Sequence, residues 1–349
     1  MEVVARPGGA CRERGSRPPF RRAFLTGGTG FIGAHVARAL LGRGAAVRCL
    51  VRPESRRDNL DGLGVEAVEG DLTDYRSLRE AVEGCDAVFH CAADYRLWAP
   101  DPSELYRTNV QGTRNVLRAA AESGIESVVH TSSVGALGLT RDGTPADETT
   151  PVRLSSLIGH YKRSKFLAER VVEEWTRRGL RVFLVNPAAP VGELDIKPTP
   201  TGRVIVDFLN GRIPAYVDTG LNVVDVHDVA EGHLLAAERG RPGRRYILGN
   251  RNLTLRQILE ILSAATGLPR PRLRLPHWAP LLYAAAEGAR ARRAGRPPRV
   301  TLEGVRMARK RMYFDSGRAV RELGLPQSPV EEAVGRAVEW FRRIGYAPA

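Results

Sequence analysis

The sequence predicts an α/β protein, a doubly wound parallel sheet followed by a smaller C-terminal α+β lobe. Three observations carry this. The apolar run Arg22 to Thr26 enters the glycine series Gly27, Gly30, Gly33 and then a helical pattern, Ile32, Val36, Leu40. Short apolar runs go on alternating with helical segments as far as residue 187, with almost no strand following strand directly. Each run ends in small or polar residues, at the edge where open parallel sheets bind ligands.

The first unit is a strand, a tight turn and a helix ending at Gly42-Arg43-Gly44, with a second strand over Ala46 to Val51. Glycine permits positive φ and close backbone approach, and a helix N-terminus offers unpaired amides and a positive dipole end. Thr26, Gly27, Gly30, Phe31, Ile32 and Gly33 are therefore candidates for holding the pyrophosphate of a dinucleotide. After the second strand come Arg52, Arg56 and Arg57, where a dinucleotide fold that binds the 2′-hydroxyl carries an acidic residue. Guanidinium groups suit a 2′-phosphate, so NADP(H) is favoured and NAD(H) is the alternative.

A third strand, Val65 to Val68, leads to Asp71 and Leu72, with Asp71 placed for the adenine amino group and Thr73 or Asp74 capping the next helix. The fourth, Ala87 to Cys91, ends at Ala92-Ala93-Asp94, where small residues admit a cofactor. A long helix from about 102 to 123 carries Asn109; the fifth strand, Ser127 to Thr131, runs into Ser132 and Ser133. A helix beginning at 156 to 159 contains Tyr161 and Lys165, and the sixth strand, Arg181 to Val185, ends at Asn186-Pro187. Residues 1–21 read as a disordered basic extension, 22–187 as the dinucleotide-binding domain, and 188–349 mainly as a substrate lobe with segments returning to the first domain. In the lobe, helices are expected over 202–210, 227–239, 255–266 and 330–341, with short strands at 215–217, 223–226 and 246–249.

Composition narrows the function. The net charge is +14, but only Lys162, Lys165, Lys197 and Lys310 are lysines, and the arginines are spread along the chain without aromatic interleaving, which argues against nucleic-acid binding. Cys11, Cys49, Cys85 and Cys91 form no metal-ligand spacing and read as reduced thiols of a cytoplasmic protein; no metal ligands are assigned. No apolar stretch reaches the ~18 residues of a membrane span. The aromatic-apolar segment 276–283, ahead of Arg290, Arg292 and Arg293, would suit peripheral membrane contact.

Tyr161 and Lys165 lie four apart on one helix face. A phenol titrates near 10, and a neighbouring ammonium favours the phenolate at roughly 1.4 kcal/mol per unit, so the pair is a proton-transfer device. With the Thr26 to Gly33 turn, Gly70-Asp71-Leu72, Asn109 to Thr113, Thr131-Ser132-Ser133, Tyr161 to Lys165 and Asn186-Pro187, the chain resembles the extended short-chain dehydrogenase/reductases from about Arg22 to Phe341. The segments 195–203, 214–222 and 246–250 are most similar to the hopanoid-associated sugar epimerases, relatives of dihydroflavonol reductase-like enzymes.

The resemblance implies a Rossmann-like fold, Tyr161 as general acid/base, Lys165 lowering its pKa and holding the nicotinamide ribose, Ser133 or its competitor Ser132 bonding the reacting oxygen, and Asn109 either in a proton relay or as a structural helix residue. Ala92 and Pro187 would flank the cofactor. Asp94, Ser132, Asn186 and Tyr216 are the candidate substrate residues, with Tyr95, Arg96, Trp98 and Asp218 as further pocket lining. The implied substrate is a small polyol, sugar or ketone, free or lipid-linked, and the implied assembly a homodimer. Leu221-Asn222 stands where nucleotide-sugar epimerases present a diphosphate-clasping arginine, which with Arg52, Arg56 and Arg57 leans the reading towards a reductase and away from a tightly NAD-bound epimerase. A non-catalytic dinucleotide sensor is the remaining alternative, disfavoured by the intact tyrosine and lysine.

Overall fold

The computed structural model describes residues 20–96, 99, 101–293 and 301–348. Trp98 and most of the basic N-terminal segment lie outside them. The two described residues ahead of β1 are tied to it: Phe20 is buried edge-on against Phe89, with 5.6 Å between ring centres, and the Arg21 amide donates to Asp86 at 2.7 Å.

The first domain follows the expected alternation. Its elements are β1 (Arg22–Thr26), α1 (Phe31–Gly42), β2 (Ala46–Val51), β3 (Val65–Glu69), α2 (Tyr75–Val82) and β4 (Ala87–His90). Then come α3 (Ser103–Tyr106), a π-helical turn (Arg107–Gln111), α4 (Gly112–Glu122), β5 (Ser127–Thr131), α5 (His160–Arg177) and β6 (Arg181–Pro187). Asp74 rather than Thr73 caps α2, accepting from the Arg76 amide at 3.0 Å. The helix expected over 102–123 is interrupted by the π turn, which contains Asn109. Helix α5 starts at His160, because Gly159 holds φ +88 ahead of it.

Downstream lie β7 (Ala189–Val191), α6 (Pro200–Leu209), β8 (Ala215–Val217), β9 (Gly220–Asp225), α7 (Val226–Arg239), β10 (Arg245–Leu248), β11 (Arg251–Thr254) and α8 (Leu255–Thr266). The chain closes with β12 (Leu273–Leu275), α9 (Trp278–Arg293), α10 (Leu302–Met307), α11 (Gly317–Leu323) and α12 (Val330–Arg343). The main sheet is parallel, in the order β10-β6-β5-β4-β1-β2-β3. Strand β10 and helix α7 are thus segments of the second half that return to the first domain. On one face α1 and α7 bury Val36, Leu40, Val229 and Leu234; on the other α2, α4 and α5 bury Leu78, Leu117 and Val172. The order reverses between β1 and β4, the switch point above which a doubly wound sheet places its ligand.

The lobe has its own core, in which Ile205, Phe208, Leu259, Leu262, Val334 and Phe341 pack α6, α8 and α12 together over the small sheet β11-β9-β7. Thr254 and Gln257 form a reciprocal capping box at the start of α8. No helix of the described residues is long and apolar enough to cross a membrane. On α9, Trp278, Leu282 and Tyr283 face outward while Ala284 and Ala291 are buried, so the aromatic segment is not spent on packing against the lobe.

Candidate active site

At the β1–α1 turn the fit to a dinucleotide is steric. Gly27 holds φ +76, and a Cβ there would stand 2.6 Å from the Ala92 amide nitrogen; a Cβ on Gly33 would stand 2.1 Å from the Gly27 carbonyl. Only glycine lets β4 and α1 close on this turn. Gly30 begins α1 with no capping side chain, which leaves the helix opening to an anion. Thr26 is turned inward: its hydroxyl meets His90 Nδ1 at 2.8 Å and accepts from the Ala92 amide at 3.2 Å, so it fixes the turn instead of facing a ligand. Behind it His90 Nε2 meets the Thr113 hydroxyl at 3.0 Å, and burial pushes the imidazole down to about 3, neutral at any working pH.

At the edge of this turn Arg52, Arg56 and Arg57 stand exposed after β2, paired with Glu54, Asp58 and Glu69. Asp71 accepts from the Thr73 amide and hydroxyl through Oδ1, which shapes the loop after β3, and the Leu72 carbonyl accepts from Asn115 at 2.9 Å.

The strand ends bring the catalytic candidates together. Tyr161 lies within reach of Ser133, which acts on its phenol, and Ser133 Oγ accepts from the Gly135 amide at 3.0 Å, which holds its rotamer. Burial raises the Tyr161 phenol above its ordinary value, and the Ser133 contact only partly offsets this. Lys165 Nζ donates 2.8 Å to the Thr131 carbonyl, and Ser133 is a group that lowers the phenol. Burial also brings the Lys165 ammonium down to about 8, opposed by Cys91 and Glu169.

Three expected roles are corrected. Ser132 is not the competitor of Ser133: its hydroxyl donates to Glu169 Oε1 at 2.6 Å in a buried network. Asn186 belongs to the same network, donating to Glu169 Oε1 at 2.7 Å and the Ser133 carbonyl at 3.0 Å, while Arg245 pairs with the other Glu169 oxygen at 2.8 Å. Both side chains are buried, and the Asn186 amide oxygen, though it has no hydrogen-bond partner among the described residues, is closed off from the surface with the rest of the network. Asn109 is a brace: its amide oxygen accepts from the Asp94 amide, and its nitrogen donates to the Asp94 carbonyl and Ser164 Oγ, each within 2.9 Å. It positions the loop after β4 and the α5 turn carrying Tyr161, since Ser164 in turn donates to the Tyr161 carbonyl at 2.8 Å.

Asp94 faces the same end of the sheet with its carboxylate held by Arg96, which also reaches Glu104 at 2.8 Å. Tyr216 packs against the lobe core and Asp218 is bridged to Arg274 and Arg311, so neither is brought to Tyr161 by any contact among the described residues. Pro187 ends β6, paired in register with Leu248. Sequence reasoning missed Lys162, beside Tyr161 and half-buried, whose Nζ meets Met312 Sδ at 3.4 Å. The lysine's rarity was a usable signal, but its helix position alone did not show which element faces it.

The model of the NAD dependent epimerase/dehydratase family matches residues 23–249, spanning the glycine turn, the Ser133–Tyr161 pair and β10. The chain belongs to that family. Within it, a Synechocystis protein provisionally named dihydroflavonol 4-reductase is 49% identical over 93% of this chain and 95% of its own. Sterol demethylase protein B of Methylococcus capsulatus is 40% identical over 92% and 98%. Among solved structures, the crystal structure of gox2253 has a TM-score of 0.84 at 47% identity, covering 94% of this chain and 99% of the other. A dTDP-glucose 4,6-dehydratase of Streptomyces venezuelae with NAD bound has 0.74 at 26%, covering 94% and 99%. The epimerase/dehydratase fold and its nicotinamide-dependent chemistry thus span nearly the whole chain, and the protein is an NAD(P)-dependent enzyme of the extended short-chain dehydrogenase/reductase type.

Proposed function

We propose that this enzyme is an NADPH-dependent ketone reductase, with Tyr161 as the proton donor and Ser133 as the hydrogen-bond donor to the reacting carbonyl. The observation that carries it is the half-buried Ser133–Tyr161 pair, brought together at the C-terminal end of the sheet. A phenol kept protonated by burial is poised to give its proton to a developing alkoxide. A bound nicotinamide dinucleotide supplies the hydride. Gly27, Gly30 and Gly33 would admit its pyrophosphate, and Lys165, anchored on the Thr131 carbonyl, would hold its ribose.

Arg52, Arg56 and Arg57 favour the 2′-phosphate form. Their present ion pairs are exposed and screened by solvent, little competition for a phosphate dianion. The relatives named reductases support the direction. A nucleotide-sugar epimerase is disfavoured by Asn222, whose buried side chain is consumed by Asn252 Oδ1, the Phe314 carbonyl and the Asn250 amide. It holds the lobe together and has no free donor for a diphosphate.

The test is Tyr161→Phe. Ketone-dependent NADPH oxidation should fall by about 10²–10⁴-fold with the NADPH Kd unchanged. Unaltered turnover would remove Tyr161 from the chemistry.

A further inference from the structure

Beside the Ser133–Tyr161 pair lies a second cationic group that the hydride chemistry does not use. Lys162 follows Tyr161 on α5, and its stem runs along the Ser133 turn: a Cβ built on Gly135 would stand 3.2 Å from Ser133 Oγ and 3.3 Å from Lys162 Cγ. Its ammonium reaches the segment after α10, where its hydrogen-bond contact among the described residues is the soft Met312 sulfur at 3.4 Å. No carboxylate pairs with it among the described residues. Lys310, two residues from Met312 and exposed, adds a second positive charge close enough to Lys162 to make its protonation harder. Two of the chain's four lysines thus converge on the gap between the catalytic helix and the lobe.

A desolvated cation with no counter-charge is costly to keep, and a like charge at its side raises the cost. The cost is relieved by an anion entering from the lobe side. An ammonium, a compact point charge on a flexible stem, suits a carboxylate or phosphoryl group better than an extended planar contact.

We propose that Lys162, with Lys310 at the rim, is the binding site for a compact anionic substituent of the substrate, a carboxylate or phosphoryl group carried close to the carbonyl that Ser133 and Tyr161 address. The inference rests on the reductase reading only for the identity of that carbonyl. The substrate class becomes a keto acid or keto phosphate, and specificity lies in the residue next to the catalytic tyrosine.

The test measures binding to the NADP⁺-loaded enzyme, so that the cofactor's own phosphate site is filled. The probes are acetoacetate, its neutral methyl ester, and 2-oxopropylphosphonate. The enzyme should bind one or both anions at least about tenfold more tightly than the ester. The better anion identifies the group. Lys162→Met should abolish the preference while leaving the ester and NADP⁺ affinities unchanged, and Lys162→Arg should keep part of it. Tyr161→Phe should retain the preference even though it stops turnover, which separates failure of this site from failure of the reductase reading. Equal affinities for acids and ester, a preference surviving in Lys162→Met, or no binding of either anion up to about 100 mM would overturn the proposal.

Discussion

At the scale of the residue, adjacent identical side chains have opposite fates. Ser132 and Ser133 follow the same strand, but successive strand residues point to opposite faces, and Glu169 on α5 waits on the Ser132 side. Ser133→Ala should therefore cost turnover with little change in stability. Ser132→Ala should leave turnover nearly intact but destabilise the fold by about 1–3 kcal/mol, because it strips a partner from a buried carboxylate. Kinetics and urea unfolding on the two variants check this; loss of turnover confined to Ser132→Ala would reverse the assignment. The spacing of Tyr161 and Lys165 was legible in the sequence because it depends only on helix geometry. The direction of the Lys165 ammonium and the roles of Ser132, Asn186 and Asn109 were not, since each depends on a partner at least 15 residues away.

At the scale of the element, the β1–α1 turn was readable nearly to the residue, and the reason is steric. Where backbone meets backbone at 2.1–2.6 Å from a would-be Cβ, the sequence has no choice but glycine. Gly33→Ala must displace the Gly27 carbonyl or the start of α1. NADPH affinity should weaken at least about tenfold even where the chain still folds, as read by fluorescence titration and circular dichroism; native affinity would show that the turn does not carry the pyrophosphate. Other elements left weaker traces. Strands β7, β11 and β12 have three or four residues, too short for an alternating pattern to register, and the π turn at Arg107–Gln111 has no signature beyond an ordinary helical run. Strand β10 looked like part of the lobe because sequence order does not say which sheet edge a late strand joins.

At the scale of the whole molecule, domain and lobe are tied at the mouth of the glycine turn. Asn59 donates to the carbonyls of Thr29 and Leu194, and Glu193 gathers His35, His227 and Arg336 from α1, α7 and α12. Burial opposes the Glu193 charge, but His227 and neighbouring groups hold it down at about 2. Inside the protein, burial keeps His35 and His233 neutral to about 4, His90 to about 3, and His130 well below its ordinary value. The unfolded chain takes up protons on all four near pH 6.5 while the folded chain does not. Stability is thus fully present above that pH and falls as pH drops towards 4, each histidine costing up to about 1.4 kcal/mol per pH unit. Asp195, held up at about 6 by burial, acts in the opposite sense but is outnumbered. Chemical unfolding midpoints should decline steadily from pH 7 to pH 5; a flat or rising profile would show that these imidazoles carry protons in the native state.

Reductase and epimerase differ in which nucleotide this sheet carries and whether it leaves. The most direct measurement is to purify the protein, assay the nucleotide it retains, and titrate it with NADPH and NADH by fluorescence. A reductase using Arg52, Arg56 and Arg57 predicts exchangeable binding, with an NADPH Kd at least about tenfold below that for NADH and the difference lost in Arg52→Ala/Arg56→Ala. Retained NAD released only on denaturation, with no preference for the 2′-phosphate, would contradict the account and make the enzyme an epimerase.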